Sequence, residues 1–136
     1  MESVSPSPSV TIVVAVKPRA ARSERTALRA LSSNYEQLAD LNWRLVCHAQ
    51  DQSAITDAIE LAHQMHRAWL EGVFADYLPK RGRERERRIA LLFTATDFYV
   101  WKLHRRDFGR SAVETEAIIS QLVHALIAAF QGQDST

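Results

Sequence analysis

The fold is decided by the stretch Thr94-Ala-Thr-Asp-Phe-Tyr-Val-Trp-Lys-Leu-His-Arg-Arg-Asp-Phe-Gly-Arg-Ser111, which contains the clearest turn signal in the chain. Gly109 follows a run of cations, which stabilise the negative end of a helix dipole, and Gly adopts the left-handed conformation just past a helix end. Ser111 and Glu114 match a capping box, in which each side chain binds an otherwise unpaired backbone N–H at a helix start. The stretch therefore predicts a helical hairpin.

Both predicted helices carry more apolar surface than one small core needs. Before the turn, apolar residues recur at spacings of one, three and four from Ile89 to Leu103, which predicts one amphipathic helix. After the turn, one face consists of Ile118, Leu122, Ala125 and Ala129, and further residues widen the apolar arc: Ile119, Val123, Leu126, Ile127 and Phe130. A helix that is apolar over most of its circumference is usually buried on more than one side. Residues 85–130 therefore predict a partner surface.

Composition indicates a single helical domain. A chain of 136 residues with 46% hydrophobic content, four Gly and four Pro can bury one core, and the class that it favours is all-α. The formal net charge of +1 gives no overall field that would attract nucleic acid or a membrane. Cys47 is the single cysteine, so it forms no intrachain disulfide, which fits a reducing compartment.

The segment 1–22 differs from the rest of the chain. Its Ser-Pro-Ser-Pro-Ser run at positions 5–9 has the composition of a linker, and a β-branched run follows from Val10 to Val16. That run is far shorter than the roughly 18 residues of a membrane helix, and no positive segment precedes it, as a secretory signal would require. We expect an extended, loosely ordered N-terminal arm on a cytoplasmic protein.

The segment between the arm and the hairpin predicts two further helical regions. From Arg22 onward no Gly or Pro occurs until Gly72, and this absence is itself a helix signal. A first long helix, with a possible interruption near Ser32, carries an apolar face of Leu28, Leu31, Tyr35, Leu38, Leu41, Leu45 and Val46. After a loop at 51–53, another helix, in one or two pieces, carries Ile55, Ile59, Ala62, His66, Trp69, Val73 and Tyr77. Four main helices are expected.

Short motifs in this order resemble one known family. They are Asn34-Tyr-Glu36 with Arg44-Leu45, His66-Arg-Ala-Trp69 with Val73-Phe74, Thr96-Asp97-Phe-Tyr-Val-Trp-Lys-Leu103, and Arg105-Arg-Asp107 with Gly109. Residues 26–130 thereby resemble the C-terminal ligand-binding and dimerisation domain of TetR-family transcriptional regulators. The resemblance implies an antiparallel helical domain at 23–131, followed by a tail at 132–136. It also implies that the last two helices form a dimeric four-helix bundle, and that the earlier helices enclose a pocket for a small apolar or mixed ligand.

One departure from that family bears on function. Its members carry a three-helix head with a helix-turn-helix, which needs about 45 residues including a recognition helix. Upstream of the resembling region stands only the arm, and no Gly precedes Gly72. We therefore expect no direct nucleic-acid contact by this chain, which is a natural headless relative, a truncated reading frame or an excised fragment.

The candidate ligand-binding residues are large or polar groups on predicted inward faces: Trp43, His66, Trp69, Phe93, Asp97 and Trp101. Asp97 stands out among them because its carboxylate is costly to bury without a partner. Two interpretations remain open for it. The carboxylate pairs with an interior Arg44, Arg67 or His66, or it meets a cation or hydroxyl of a ligand. For the three Trp residues, ordinary core packing is the competing interpretation.

Other chemistry has weaker support. Glu60 and His63 form one Glu-x-x-His pair, but a carboxylate-bridged di-iron site needs a second pair and two further Glu. His63, His66 and Cys47 make three zinc ligands only if the fold brings them together by chance. Residues 80–88 carry six cations and two carboxylates, a local charge that can meet phosphates or be solvated and paired within the helix. No phosphate loop, nucleophile elbow or paired carboxylates occur, so we expect no enzyme, no metal and no cofactor.

The sequence thus predicts an all-α effector-binding and dimerisation domain related to TetR-type regulators. The homodimer is expected through residues 85–130, with an interface formed by Leu103, Ile118, Leu122, Ala125, Leu126 and Ala129. Two alternatives stay open. One is an interaction module that heterodimerises with an intact regulator, and the other is a helical small-molecule carrier. No membrane partner is expected.

Overall fold

A computed structural model describes residues 24–48 and 53–136 of the chain. The described residues form helices α1 (Glu24–His48), α2 (Ser53–Val73), α3 (Arg83–Thr96), α4 (Phe98–Lys102) and α5 (Ala112–Asp134). A 3-10 turn at Ala75–Tyr77 follows α2, and a π-helical turn at Leu103–Asp107 follows α4. The described ranges contain no strand, which confirms the all-α prediction. The predicted arm at 1–22 lies outside them.

Helix α1 is continuous through Ser32 and Ser33, where the sequence suggested an interruption. Its buried face consists of Ala27, Leu28, Leu31, Ser32, Tyr35 and Ala39. Their spacing places them along one stripe of the helix. Burial of this stripe stabilises a continuous helix and outweighs the low helix preference of the two serines. The buried hydroxyl of Ser32 has no hydrogen-bond partner in the described part of the chain.

One core joins the helices. Helix α5 contributes Ile119, Val123, Ile127 and Phe130, spaced by four, four and three residues, which places them on a single stripe. The buried face of α1 packs into the same core, and the other buried apolar residues come from the end of α2 and the segment after it, from α3 and from α4: Trp69, Leu70, Phe74, Leu78, Ile89, Leu92, Ala95, Phe98 and Trp101. Leu122, Ala125 and Ala129, on another side of α5, are exposed.

The helix before the turn is broken at Asp97, whereas the apolar periodicity predicted one helix through to Leu103. Helix α3 ends at Thr96, and Asp97 adopts an extended conformation with φ of −69° and ψ of 150°. Its carboxylate accepts a hydrogen bond of 3.2 Å from the backbone N–H of Tyr99, which makes Asp97 the N-cap of α4. The prediction of one helix was wrong because the apolar residues keep the same spacing on both sides of the break.

The turn predicted after this region is confirmed. Gly109 has a φ of 65°, the left-handed conformation expected just past a helix end. The backbone N–H of Arg110 donates to the carbonyl of His104 at 2.9 Å, which closes the end of the π-helical turn. At the start of α5, Ser111 and Glu114 form the reciprocal capping box.

The basic run at 80–88 is partly neutralised by tertiary contacts. Arg85 pairs with Glu71 on α2, and the buried guanidinium of Arg88 binds Glu84 and Asp134. Arg88 also donates to the carbonyl of Tyr77 at 2.8 Å. Carboxylates from other elements therefore balance cations that a helix start would not by itself favour. Helix α5 ends at Asp134, so it includes the first three residues of the segment 132–136 that we expected as a tail.

Candidate functional site

A groove of about 670 Å³ runs between α2 and α3. Its apolar floor includes Ile59, Ile89, Ala90 and Phe93, and polar groups complete the lining: Thr56, Glu60, His63, Gln64, Arg67 and Glu86. Ligand sites are concave and mostly apolar, with a few polar groups that fix orientation. The groove has this mixed character and is open to solvent along its length.

Beneath the groove, Phe93 packs on a buried histidine. The rings of His66 and Phe93 have centroids 4.2 Å apart, and the ring of Trp69 lies 6.0 Å from that of His66. Nε2 of His66 lies 2.8 Å from Oγ1 of Thr96. Burial, with a smaller effect of nearby His63, lowers the pKa of His66 to about 4. His66 is therefore neutral at physiological pH and serves as a structural hydrogen-bonding group under the groove floor.

Asp97 stands close to this aromatic cluster but outside the groove lining. Burial raises the pKa of its carboxyl group, while the backbone N–H of Tyr99 and the charge of His63 oppose the rise. Of the partners that the sequence suggested, Arg67 binds Glu71 and Glu86, and His66 contacts Thr96. The carboxylate of Asp97 instead caps α4, a role that neither sequence interpretation included.

One charged cluster lines the groove. Arg67 donates to both carboxylate oxygens of Glu86, at 2.9 and 2.8 Å, and to Glu71 at 3.1 Å. The hydrogen bond to Glu86 is the main reason that the pKa of Arg67 is raised above its ordinary value. This bidentate pair links α2 to α3 at the solvent-exposed side of the groove.

A second, narrower cleft of about 210 Å³ lies between α1 and α4. Its lining consists of Ala39, Asp40, Trp43, Phe98, Trp101, Lys102 and Arg106. The ammonium of Lys102 stands 4.0 Å from the centroid of the Trp43 ring, a cation–π contact. Phe98 and Trp101 stack with centroids 5.7 Å apart and their planes inclined by 20°. The cleft thus combines aromatic walls with cationic groups.

The six predicted ligand-binding residues therefore occupy more than one place. Trp43 and Trp101 line the narrow cleft, and Phe93 lines the groove. His66 and Trp69 are buried behind Phe93, and Asp97 caps α4. The indole N–H of Trp69 is buried without a hydrogen-bond partner in the described residues.

Several lining residues were missed as candidates, chiefly Ile59 and His63 in the groove and Phe98, Lys102 and Arg106 in the cleft. His63 was considered only as a metal ligand. The apolar stripe of α2 contained a signal for Ile59, but the groove exists only because α2 packs beside α3. The spacing of residues along one helix does not identify its neighbour.

A metal centre has no support in the described part of the chain. Within residues 24–48 and 53–136, no group of three or more His, Cys, Asp or Glu side chains is arranged to hold an ion. Cys47 is exposed on α1.

The outer side of α5 forms an apolar strip, which we define as Ile118, Leu122, Ala125, Leu126 and Ala129. Leu122, Ala125 and Ala129 are exposed, and Ile118 and Leu126 are half-buried. Leu91 on α3, Tyr99 on α4 and Leu103 just after α4 are also exposed. By length and composition α5 is apolar enough to cross a membrane, a test that core helices of soluble proteins also pass, yet only 28% of its most apolar window is buried. Among the described residues, the strip is therefore a partly exposed apolar surface.

Comparisons of the chain with protein-family models, with curated proteins and with solved structures give no match.

Proposed function

We propose that this chain is a homodimerising, ligand-responsive helical domain of the kind found in TetR-type regulators. The observation that carries the proposal is the apolar strip on α5, three of whose five residues are exposed in the part of the chain that the structure describes. Exposed contiguous apolar patches on soluble proteins mark interaction sites.

The composition of the strip favours a second copy of the chain as its partner. None of its five members carries a charge, so the strip can meet itself across a two-fold axis without repulsion between like charges. Ala125 and Ala129, one helical turn apart, leave room for a partner helix to approach closely, and Leu122 and Leu126 can pack on either side of that contact. Burial of this surface would supply the main driving force for association.

The ligand half of the proposal rests on α4. Lys102 lines the narrow cleft. The next residue, Leu103, is exposed and is one of the predicted interface residues. Because α4 is a five-residue element separated from α3 at Asp97, it can shift without moving all of α3. A ligand that binds one position of α4 more tightly would shift the equilibrium toward that position and so change the surface that meets the partner. The size of this shift is limited by the difference between the ligand's affinities for the two positions.

A pair of alanine variants tests the dimer. Ala128 and Ala129 are both exposed on α5, but only Ala129 belongs to the strip, because neighbours on a helix point about 100° apart. Ala129→Glu places a charge in the proposed interface and should give monomers in size-exclusion chromatography with light scattering. Ala128→Glu adds the same charge one residue earlier on α5, outside the strip, and should leave a dimer.

Other outcomes would replace the proposal. If both variants dimerise like the wild type, the strip is not the interface. If the wild-type chain is monomeric but co-purifies with an intact regulator, it is a heterodimerising module. If the chain is monomeric and floats with lipid vesicles, the apolar surface of α5 binds a membrane.

A further inference from the structure

The groove between α2 and α3 has apolar surface that stays accessible among the described residues. Along its floor Ile59 and Phe93 are half-buried and Ala90 is exposed. Its volume of about 670 Å³ lies within the range of roughly 300–1,000 Å³ that ligand pockets occupy. Arg67, the one Arg or Lys of the described lining, is already bound by two carboxylates, so an anion finds no free partner there. The groove therefore suits an elongated, mainly apolar molecule without negative charge.

The narrow cleft between α1 and α4 is less suited to a ligand. Both of its cations have carboxylate partners, and Lys102 covers a face of Trp43. Phe98 and Trp101, which are 9% and 1% exposed, stack on each other. The aromatic and charged groups of the cleft are thus used in packing within the protein, and the groove is the better candidate for an effector site.

A buried histidine connects the floor of the groove to the end of α3. Phe93, which lines the groove, packs on His66 with ring centroids 4.2 Å apart. His66 is 3% exposed, and its Nε2 lies 2.8 Å from Oγ1 of Thr96, the last residue of α3. A molecule that displaces Phe93 would also displace His66, because a close-packed interior transmits strain.

The end of α3 is connected in turn to α4 through a tyrosine of α1. The hydroxyl of Tyr35 donates to the carbonyl of Thr96 at 2.8 Å. The Tyr35 ring packs against Phe98 and Trp101 on α4, with centroids 5.6 and 6.1 Å away. Because Tyr35 is buried, its ring cannot shift without moving these neighbours. The continuous path, called the relay below, consists of Phe93, His66, Thr96 and Tyr35.

We propose that the groove is the effector site of this chain and that the relay transmits its occupancy to α4. The break at Asp97 separates α4 from α3, so α4 can change position while α3 stays in place. Leu103, which directly follows α4, is exposed and belongs to the predicted interface. The inference rests on the proposed ligand-responsive function and assigns its ligand to one site and one chemical class.

A covalent occupant of the groove tests the proposal in the full chain. Ala90→Cys is combined with Cys47→Ser, so that a single thiol remains, and is labelled with benzyl methanethiosulfonate, which places a neutral ring in the groove. Ala128→Cys in the same background is the matched control. It places the identical ring on the exposed surface of α5, outside the groove and the apolar strip.

Two measurements report the response away from the groove. The indole signal of Trp101 in ¹H–¹⁵N spectra should move when Ala90→Cys is labelled, although Trp101 does not line the groove. The dissociation constant of the dimer, measured by sedimentation, should change by about fivefold or more, the lower end of ordinary allosteric coupling. Labelled Ala128→Cys should change neither quantity.

Tyr35→Phe tests the relay itself. It removes the hydrogen bond to Thr96 and keeps the ring, so it should largely remove the response of Trp101 to the groove label. The indole signal of Trp69, a residue whose ring lies 6.0 Å from that of His66, should still respond, because it lies on the groove side of the cut.

Tyr77→Phe is the matched control for this variant. It removes an equally short hydroxyl bond, to Glu24, that lies outside the relay, and should leave the Trp101 response intact. If Tyr35→Phe does not fold, His66→Gln takes its place. The amide can still donate to Thr96, but the ring that packs on Phe93 is lost, so the Trp101 response should again fall.

The proposal is overturned if Trp101 responds no more to the groove label than to the control label, or if Tyr77→Phe weakens the response as much as Tyr35→Phe. The mass of the unlabelled chain keeps these results distinct from failure of the proposed function. A dimer without the Trp101 response refutes the relay alone, whereas a monomer with that response refutes the dimer and leaves the effector site in place.

Discussion

Nε2 of His66 on α2 lies 2.8 Å from Oγ1 of Thr96, the last residue of α3. The Thr96 hydroxyl donates its own proton to the carbonyl of Leu92 at 2.7 Å, so the imidazole is the donor in this contact. The hydroxyl of Tyr35 on α1 donates to the carbonyl of Thr96 at 2.8 Å. Three helices thus meet at the residue before the break, and Tyr35 satisfies a carbonyl at the end of α3.

This contact predicts that stability falls in mild acid. The pKa of His66 is about 4 in the folded chain, below its ordinary value of roughly 6.5. Between these values the unfolded chain binds the proton more readily, so the stability from neutral His66 is complete above about pH 6.5 and is lost as the pH falls toward 4. Lowering the pH from about 7.5 to about 5 should cost about 2 kcal/mol in the free energy of unfolding. Urea denaturation at the two pH values measures it.

His66→Gln is the control for that experiment, since an amide can still donate to Thr96 but does not titrate. The difference between wild type and variant isolates His66 from Asp97, whose raised pKa acts in the opposite direction. Equal loss of stability in both proteins would show that His66 is not responsible.

Asp97 should behave as a helix cap. Asp97→Ala removes the acceptor for the N–H of Tyr99 and should destabilise the chain by about 1 kcal/mol in thermal or urea unfolding. Asp97→Asn keeps an acceptor and should be close to wild type. If Asn costs as much as Ala, the charge of Asp97 matters more than the cap, and a partner such as His63 would explain it.

Two glycines should respond oppositely to alanine. Gly109 has a φ of 65°, so Gly109→Ala should destabilise by about 1 kcal/mol through backbone strain alone, since a Cβ there meets no neighbouring atom. Gly132 lies inside α5, and a Cβ there also meets nothing within 4 Å. Gly132→Ala should therefore stabilise by up to about 1 kcal/mol. Melting temperatures with the same sign of change for both variants would contradict this account of the turn.

The sequence was most informative where local chemistry determines structure. The cation-rich segment, Gly109 and the capping box of Ser111 with Glu114 act within a few residues of one another, so the turn could be predicted without knowledge of the fold. The all-α class followed in the same way from periodicity and from the absence of Gly and Pro. The apolar strip on α5 was also visible, because α5 is more apolar than one buried face requires.

The break at Asp97, the groove and the cleft could not be predicted from local sequence in the way that the turn could. The apolar stripe passes through the break, and the available sign was Thr96 followed by Asp97, two residues that favour caps over helix interiors. The groove depends on α2 packing beside α3, and the cleft on α1 packing beside α4. Such pairings are set by tertiary packing, and for that reason the six candidate residues were assigned to a single pocket.

The most direct test of the central claim is the mass of the purified chain in solution by native mass spectrometry at micromolar concentration. The account predicts a dimer, at twice the 15.4 kDa of one chain, that Ala129→Glu converts to monomer and Ala128→Glu does not. A wild-type chain that stays at 15.4 kDa across this range would show that the apolar strip of α5 does not join two copies.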